Sequence, residues 1–275
     1  MSCVAWLLPP EFLPPRHACL ISTAPTGRSC SAAMIGRLLA AAVFLLAGAF
    51  TTSARAQTTV RVDAVVELFT SQGCNQCPRA NRLLGTFARE ERVLALTLPV
   101  PIWDYLGWRD TFAERDFADR QYAYSRTLHV RGRFTPQLVY SGAAQGSASN
   151  WDEARAMLDQ ARAAGLPSAP AISIARARGA SVRVSVGSGA RRPAADVWII
   201  AFDPGPISTY VTRGANFNRR ISHYNLVTSI ERAGAWTGEA ATYERARCTP
   251  SCAVIVQEPN GGRIIGAAYA AIRDY

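Results

Sequence analysis

Lysine is absent from the chain, and all 30 of its basic side chains are arginine. A GC-rich coding bias accounts for this, so the arginines are not read as selected for guanidinium chemistry. They are scattered along the chain without the dense basic runs and interleaved aromatics of a nucleic-acid face, despite a formal net charge of +10. Arg16, Arg28, Arg37 and Arg55 against Glu11 put three of those charges in residues 1–56 and leave +7 beyond them. Attraction to anionic membrane surfaces or acidic partners follows, without specificity. Histidine is scarce, and His129 and His223 lack the spacing of a zinc-protease motif. Gly187-Ser-Gly189 has no strand–helix context for a dinucleotide fingerprint and fits a hairpin turn. Internal repeats and low-complexity tracts are missing from the region after residue 56.

An apolar run long enough to cross a bilayer is also missing near the N-terminus. Leu38 to Phe50 spans 13 residues and is followed at once by polar Thr51, Thr52 and Ser53. With Met34 to Arg37 as a positive start and Ala54-Arg55-Ala56 as a small-x-small site, residues 34–56 read as a signal peptide cut before Gln57. Residues 1–33, with five prolines and no periodicity, read as a mis-assigned start or a long leader. The expected location is periplasmic or secreted. Cys3, Cys19 and Cys30 leave with the leader, and an even set remains in an oxidising compartment: Cys74, Cys77, Cys248 and Cys252.

The remaining 57–275 has an ordinary globular balance, the whole chain being 49% hydrophobic and 18% charged. Asp63 to Thr70 reads as a central strand, and a helix follows with Cys74 at its N-terminus and runs to about Arg89, carrying Leu83, Leu84 and Phe87 at helical spacing. Arg92 to Leu98 reads as a second strand, and Phe117, Gln121, Tyr124 and Leu128 mark a helix from about Ala113. A short strand occupies Gln137 to Tyr140, and Asn150 with Glu153 caps a helix that Gly165 closes. The pattern then changes: Ile172, Ile174, Val182, Val184, Val186, Val197 and Ile199 alternate with polar residues. The expected fold is an α/β thioredoxin-like domain over 57–169, followed by an all-β sandwich-like domain over 170–275 that ends in strands Ala253–Gln257 and Ile264–Ile272.

The chemistry-bearing motif is Cys74-Asn-Gln-Cys77 between strand and helix. Unpaired backbone N–H groups and the positive end of the helix dipole favour thiolate at such a place. Cys74 is expected to attack, and Cys77, one turn further in, to resolve the mixed disulfide. The direction of electron flow is not fixed by the neutral Asn75-Gln76. A structural disulfide or half of a zinc site would use the same spacing. Thr135-Pro136, before a strand, is the second element: a cis proline there would lie beside the cysteines and leave the preceding peptide group free for a substrate. Glu67, in the first strand, is a candidate acceptor for the proton of Cys77, or else a carboxylate with a structural polar partner. Cys248 and Cys252 read as a structural disulfide, with a second redox pair as alternative.

At VELFTSQGCNQCP, WDYLGWRD, RQYAYSRTL, FTPQLVYSG, RGANFNRR and the following NLV, the chain resembles the thioredoxin superfamily. More closely, over about Val65 to Ile272, it resembles the exported bacterial proteins labelled DUF1223. The resemblance implies a redox site at Cys74, Cys77 and Pro136, with Trp103, Asp104 and Trp108 in a neighbouring family-specific loop. Trp103, Tyr105 and Trp108 suit a substrate groove or local packing that pins the loop. Where the family often has a His-Val-Asp-Tyr stretch, this chain has Pro99-Val-Pro-Ile102. The expected activity is thiol–disulfide exchange on protein or small-molecule thiols and disulfides, without metal or other cofactor and without nucleic acid. A membrane redox partner is compatible with it. The competing expectation is a binding module stapled by a permanent Cys74–Cys77 bond, and a third is thiolate metal handling.

Overall fold

The computed structural model describes residues 59–166, 169–177, 181–190, 194–245 and 247–271. The expected leader and cleavage point, and Ile272, lie outside the described residues.

Strand β1 is the short Val60–Arg61, and β2 is Ala64–Thr70, buried at all seven positions. A strand of this kind carries no polar alternation because protein covers both of its faces. β3 (Val93–Pro99) lies parallel to β2 on one side, and β4 (Gln137–Tyr140) lies antiparallel on the other, with β5 (Ala144–Ser147) beyond it. Helix α1 (Cys77–Phe87) connects β2 to β3, α2 (Arg115–Thr127) precedes β4, and α3 (Trp151–Ala164) follows β5. At the start of α3 the Asn150 side chain accepts from the N–H groups of Asp152 and Glu153, and Gly165 at φ 62° ends it.

The C-terminal half does not fold apart. β8 (Ala195–Asp203), β11 (Leu226–Trp236), β13 (Ser251–Gln257) and β14 (Ile264–Ala271) continue the same sheet, in the order β1-β14-β13-β8-β11-β3-β2-β4-β5. The expectation of a thioredoxin-like domain followed by an all-β sandwich is therefore corrected to one large nine-stranded mixed sheet with few helices. The physical reason lies at β3, which is buried at every position and needs a neighbour on each edge. β11 supplies the second neighbour through one parallel rung, Leu226 opposite Thr97. Thr97 N–H donates to Asn225 O (2.9 Å), Thr97 Oγ1 to Tyr224 O (2.6 Å) and Asn225 Nδ2 to Ala95 O (2.7 Å), which seals the seam. A junction that short has no periodicity to read.

Two small sheets complete the fold: β6 (Ile172–Arg176), β7 (Val182–Val186) and β12 (Ala241–Arg245) form one, and the hairpin of β9 (Ile207–Val211) and β10 (Arg219–His223) forms the other. Gly187-Ser-Gly189 is not a hairpin turn, because β7 pairs with β6 and β12 whereas β8 belongs to the large sheet. On one face of the large sheet Phe117 of α2 packs with Phe69, Leu96, Phe202 and Ile255 in a core that spans both halves. The other face is divided: α1 and α3 cover β2–β4 through Leu83, Leu84, Phe87 and Leu158, and the three-stranded sheet covers β8, β13 and β14. Each large apolar side chain buried in these layers contributes roughly 1.5–3 kcal/mol.

Candidate functional site

α1 begins at Cys77 with Pro78 in its first turn, where a missing N–H costs no helical bond. Cys74 lies in the preceding turn, held by Cys74 N–H to Ser71 O (3.2 Å) and Cys77 N–H to Cys74 O (3.3 Å). Both cysteines are free thiols; Cys74 keeps 7% exposure and Cys77 none. A hydrogen bond from the Cys77 thiol, opposed by burial and aided by the Thr135 side chain and by the Gln76 and Cys77 amides, brings Cys74 down to about 6. Burial and then the neighbouring Cys74 push Cys77 well above the ordinary thiol range, against the Thr70 and Thr135 hydroxyls. The pair is thus unequal: Cys74 is lowered and has a small opening to solvent, and Cys77 is raised and sealed.

The Thr135–Pro136 peptide is cis, and the Thr135 carbonyl accepts from the Cys74 thiol at 3.6 Å. Trp103 Nε1 donates to Thr135 Oγ1 at 2.8 Å, which leaves the hydroxyl's own proton for the sulfurs. Trp108 Nε1 donates to Gln72 Oε1 (2.9 Å), and Asp104 Oδ1 accepts from Asp110 N–H (3.1 Å). Trp103, Asp104 and Trp108 thus brace the loops beside Cys74, while Tyr105 stands in solvent.

Glu67 is not brought to the cysteines. Strand alternation turns it to the α2 face, where Arg120 Nε donates to it at 2.5 Å and Arg120 Nη2 at 3.0 Å, and Tyr124 OH donates a very short bond. Gln257 joins the cluster through Arg120 Nη1 (3.1 Å) and Tyr124 (3.0 Å). Thr70, on the α1 face, is the strand residue beside Cys77.

Three residues that sequence reasoning did not single out hold the site. Asn216, fully buried, donates from Nδ2 to Gln72 O (2.9 Å) and Cys74 O (2.7 Å), so the turn before β10 clamps the cysteine loop. Gln72 is gripped by Trp108 and Thr111, and its N–H donates to Asp110 Oδ2 at 2.7 Å. Burial raises Asp110 to about 6, against the amides of Gln72 and Phe112. The available signal was their membership in the motif strings VELFTSQGCNQCP, WDYLGWRD and RGANFNRR.

Cys248 and Cys252 are bonded to each other, with Cα atoms 5.1 Å apart, in the apolar layer beneath the three-stranded sheet. No group of three or more His, Cys, Asp or Glu suited to a metal occurs among the described residues.

Fold and site together define a mixed-sheet protein that presents a C-x-x-C pair at a helix start. The family described as "Protein of unknown function (DUF1223)" matches residues 65–257, and the chain belongs to it. It is similar to a protein from Agrobacterium tumefaciens of known crystal structure, at 28% identity and TM-score 0.65, over 78% of this chain and 96% of that one. HBP35 of Porphyromonas gingivalis shares the fold at TM-score 0.54 and 13% identity, over 78% of this chain and 76% of that one. No curated protein matches.

Proposed function

We propose that this protein is a thiol–disulfide oxidoreductase acting through Cys74 and Cys77. The observation that carries the reading is the placement of the pair, with free Cys74 in the turn before α1 keeping an opening to solvent and free Cys77 sealed behind it; in keeping with this, Cys74 is lowered to about 6 and Cys77 is raised. At neutral pH such a Cys74 is roughly nine-tenths thiolate, against a few per cent for an ordinary cysteine.

The Cys74 thiolate attacks one sulfur of a substrate disulfide; a Cys74–substrate bond forms, and the other substrate sulfur leaves as thiolate and takes a proton from solvent. Cys77 then bonds to the Cys74 sulfur and passes its proton to the departing second substrate sulfur. Two electrons move from the protein dithiol to the substrate disulfide, and a dithiol partner restores the pair by the reverse exchange. The leader-like pattern of residues 34–56 and the Cys248–Cys252 bond support export to an oxidising compartment.

The test is the reduction potential of the Cys74–Cys77 couple, with reduction of a model protein disulfide and with Cys77→Ser as a trap. A potential in the range of about −270 to −120 mV and accumulation of mixed disulfides at Cys74 are expected. A potential below about −300 mV would instead mark a permanent staple.

A further inference from the structure

We infer that the surface around Cys74 recognises an extended, cysteine-bearing polypeptide segment with apolar side chains and acidic flanks; this rests on the thiol–disulfide reading above. Among the described residues, Tyr105 at 76%, Leu106 at 50% and Phe217 at 67% exposure are three of the six exposed large hydrophobic side chains. All three stand on the two loops that brace the cysteine turn. The Tyr105 ring lies 6.3 Å from Trp103, whose Nε1 holds Thr135. Phe217 follows Asn216, which holds the Cys74 carbonyl. The loops adjoin: a Cβ on Gly214 would lie 3.3 Å from Trp108 Cβ and 3.7 Å from the Leu106 carbonyl. Exposed apolar side chains on adjoining loops beside the Cys74 turn mark a contact surface.

Its rim is positive. Arg109 and Arg213 are exposed on these loops, and neither is ion-paired among the described residues. The acids of the same segment are turned inward, Asp104 to the Asp110 amide and Asp110 to those of Gln72 and Phe112. A partner with acidic flanks meets this charge with least opposition. The slight exposure of Cys74 favours a narrow, extended segment over a convex folded surface. Anionic lipid would also meet aromatics and arginines, but it brings no sulfur to Cys74.

Short unstructured peptides, each carrying one cysteine as a mixed disulfide with a neutral thiopyridine, test this in the purified protein. Leu-Phe peptides with Glu flanks should react about tenfold faster than those with Lys flanks at low salt. The two should converge near about 1 M salt. Serine in place of Leu-Phe should slow exchange several-fold, and Arg109→Glu with Arg213→Glu should invert the charge preference, each rate being taken relative to neutral dipyridyl disulfide. If Cys74 ignores dipyridyl disulfide, the thiol–disulfide reading itself fails. If dipyridyl disulfide reacts but the peptides are not discriminated, the recognition surface is overturned while the chemistry stands. Capture by phosphatidylglycerol vesicles without peptide discrimination would overturn it in favour of a membrane contact.

Discussion

The two cysteine pairs have nearly the same spacing and burial but opposite character. Cys248 and Cys252 sit among Val184, Val197, Val254 and Trp236, and are bonded. Cys74 sits among donors: the Cys77 thiol, the Thr135 hydroxyl and the Gln76 and Cys77 amides. Spacing brings two sulfurs together in both places, but only the second surroundings stabilise a thiolate. The contrast is therefore one of environment, and it is broken most severely by removing the thiolate. Cys74→Ser should reduce exchange to background, whereas replacing Cys248 and Cys252 by alanine should preserve it. In the wild type, alkylation of Cys74 should rise with pH to a half-point near 6, because the thiolate reacts and the folded site favours it.

A second contrast separates the two faces of β2. Thr70 serves the cysteines, and Glu67, three residues earlier, serves Arg120 and Tyr124. Glu67→Gln or Arg120→Met leaves the other partner buried without its counter-charge, and each should cost about 3–5 kcal/mol in chemical denaturation. The combined replacement Glu67→Leu with Arg120→Met should recover much of that loss. The alkylation half-point of Cys74 should stay in place in any variant that folds. Movement by a full pH unit would return Glu67 to the chemistry.

Smaller is the effect of the bonded pair on stability. Closing the short loop from 248 to 252 restricts the unfolded chain by about 2 kcal/mol, and the double alanine variant should lose about that amount. A loss of alkylation at Cys74 in that variant would show that the two pairs are not independent.

What could be read from residues was mostly local. The strand at 64–70, the helix after Cys77, the strand at 137–140 and the cap at Asn150 each carry their signal within a few positions. The seam between the halves does not, since Leu226 meets Thr97 at one rung across more than a hundred residues. The separate sandwich was expected because alternation at 172–201 is the same whether a strand packs in its own sandwich or, as with β8, inside a larger sheet. In the site, the sulfurs and Thr135 were legible from motif chemistry. Asn216 was not, because a buried amide bonded to two carbonyls looks in sequence like any loop asparagine. Of the two readings of Glu67 the structural one holds, and its partner was not legible because Arg120 comes from a helix 53 positions away.

In the wild type the smallest response is expected from two titrating groups near the site, because they oppose one another. His223, fully buried against the Phe112 ring, is lowered by burial to about 4, against a backbone contact at Ile207. Its folded value lies below its unfolded one, so its contribution is present above about 6.5 and fades as pH falls toward 4. Asp110, whose Oδ1 accepts from Phe112 N–H, is raised to about 6, so its contribution is present below about 3.8 and is lost as pH rises through 6. Between pH 4 and 6 the two slopes have opposite sign, and the wild type should show a nearly flat stability profile there. His223→Phe should leave the Asp110 slope, with stability falling as pH rises by up to about 3 kcal/mol across the window. Asp110→Asn should leave the His223 slope, with stability falling on acidification by a similar amount. Denaturation midpoints measured at several pH values in the two variants decide it: parallel profiles would mean that neither group is shielded from solvent as this packing requires.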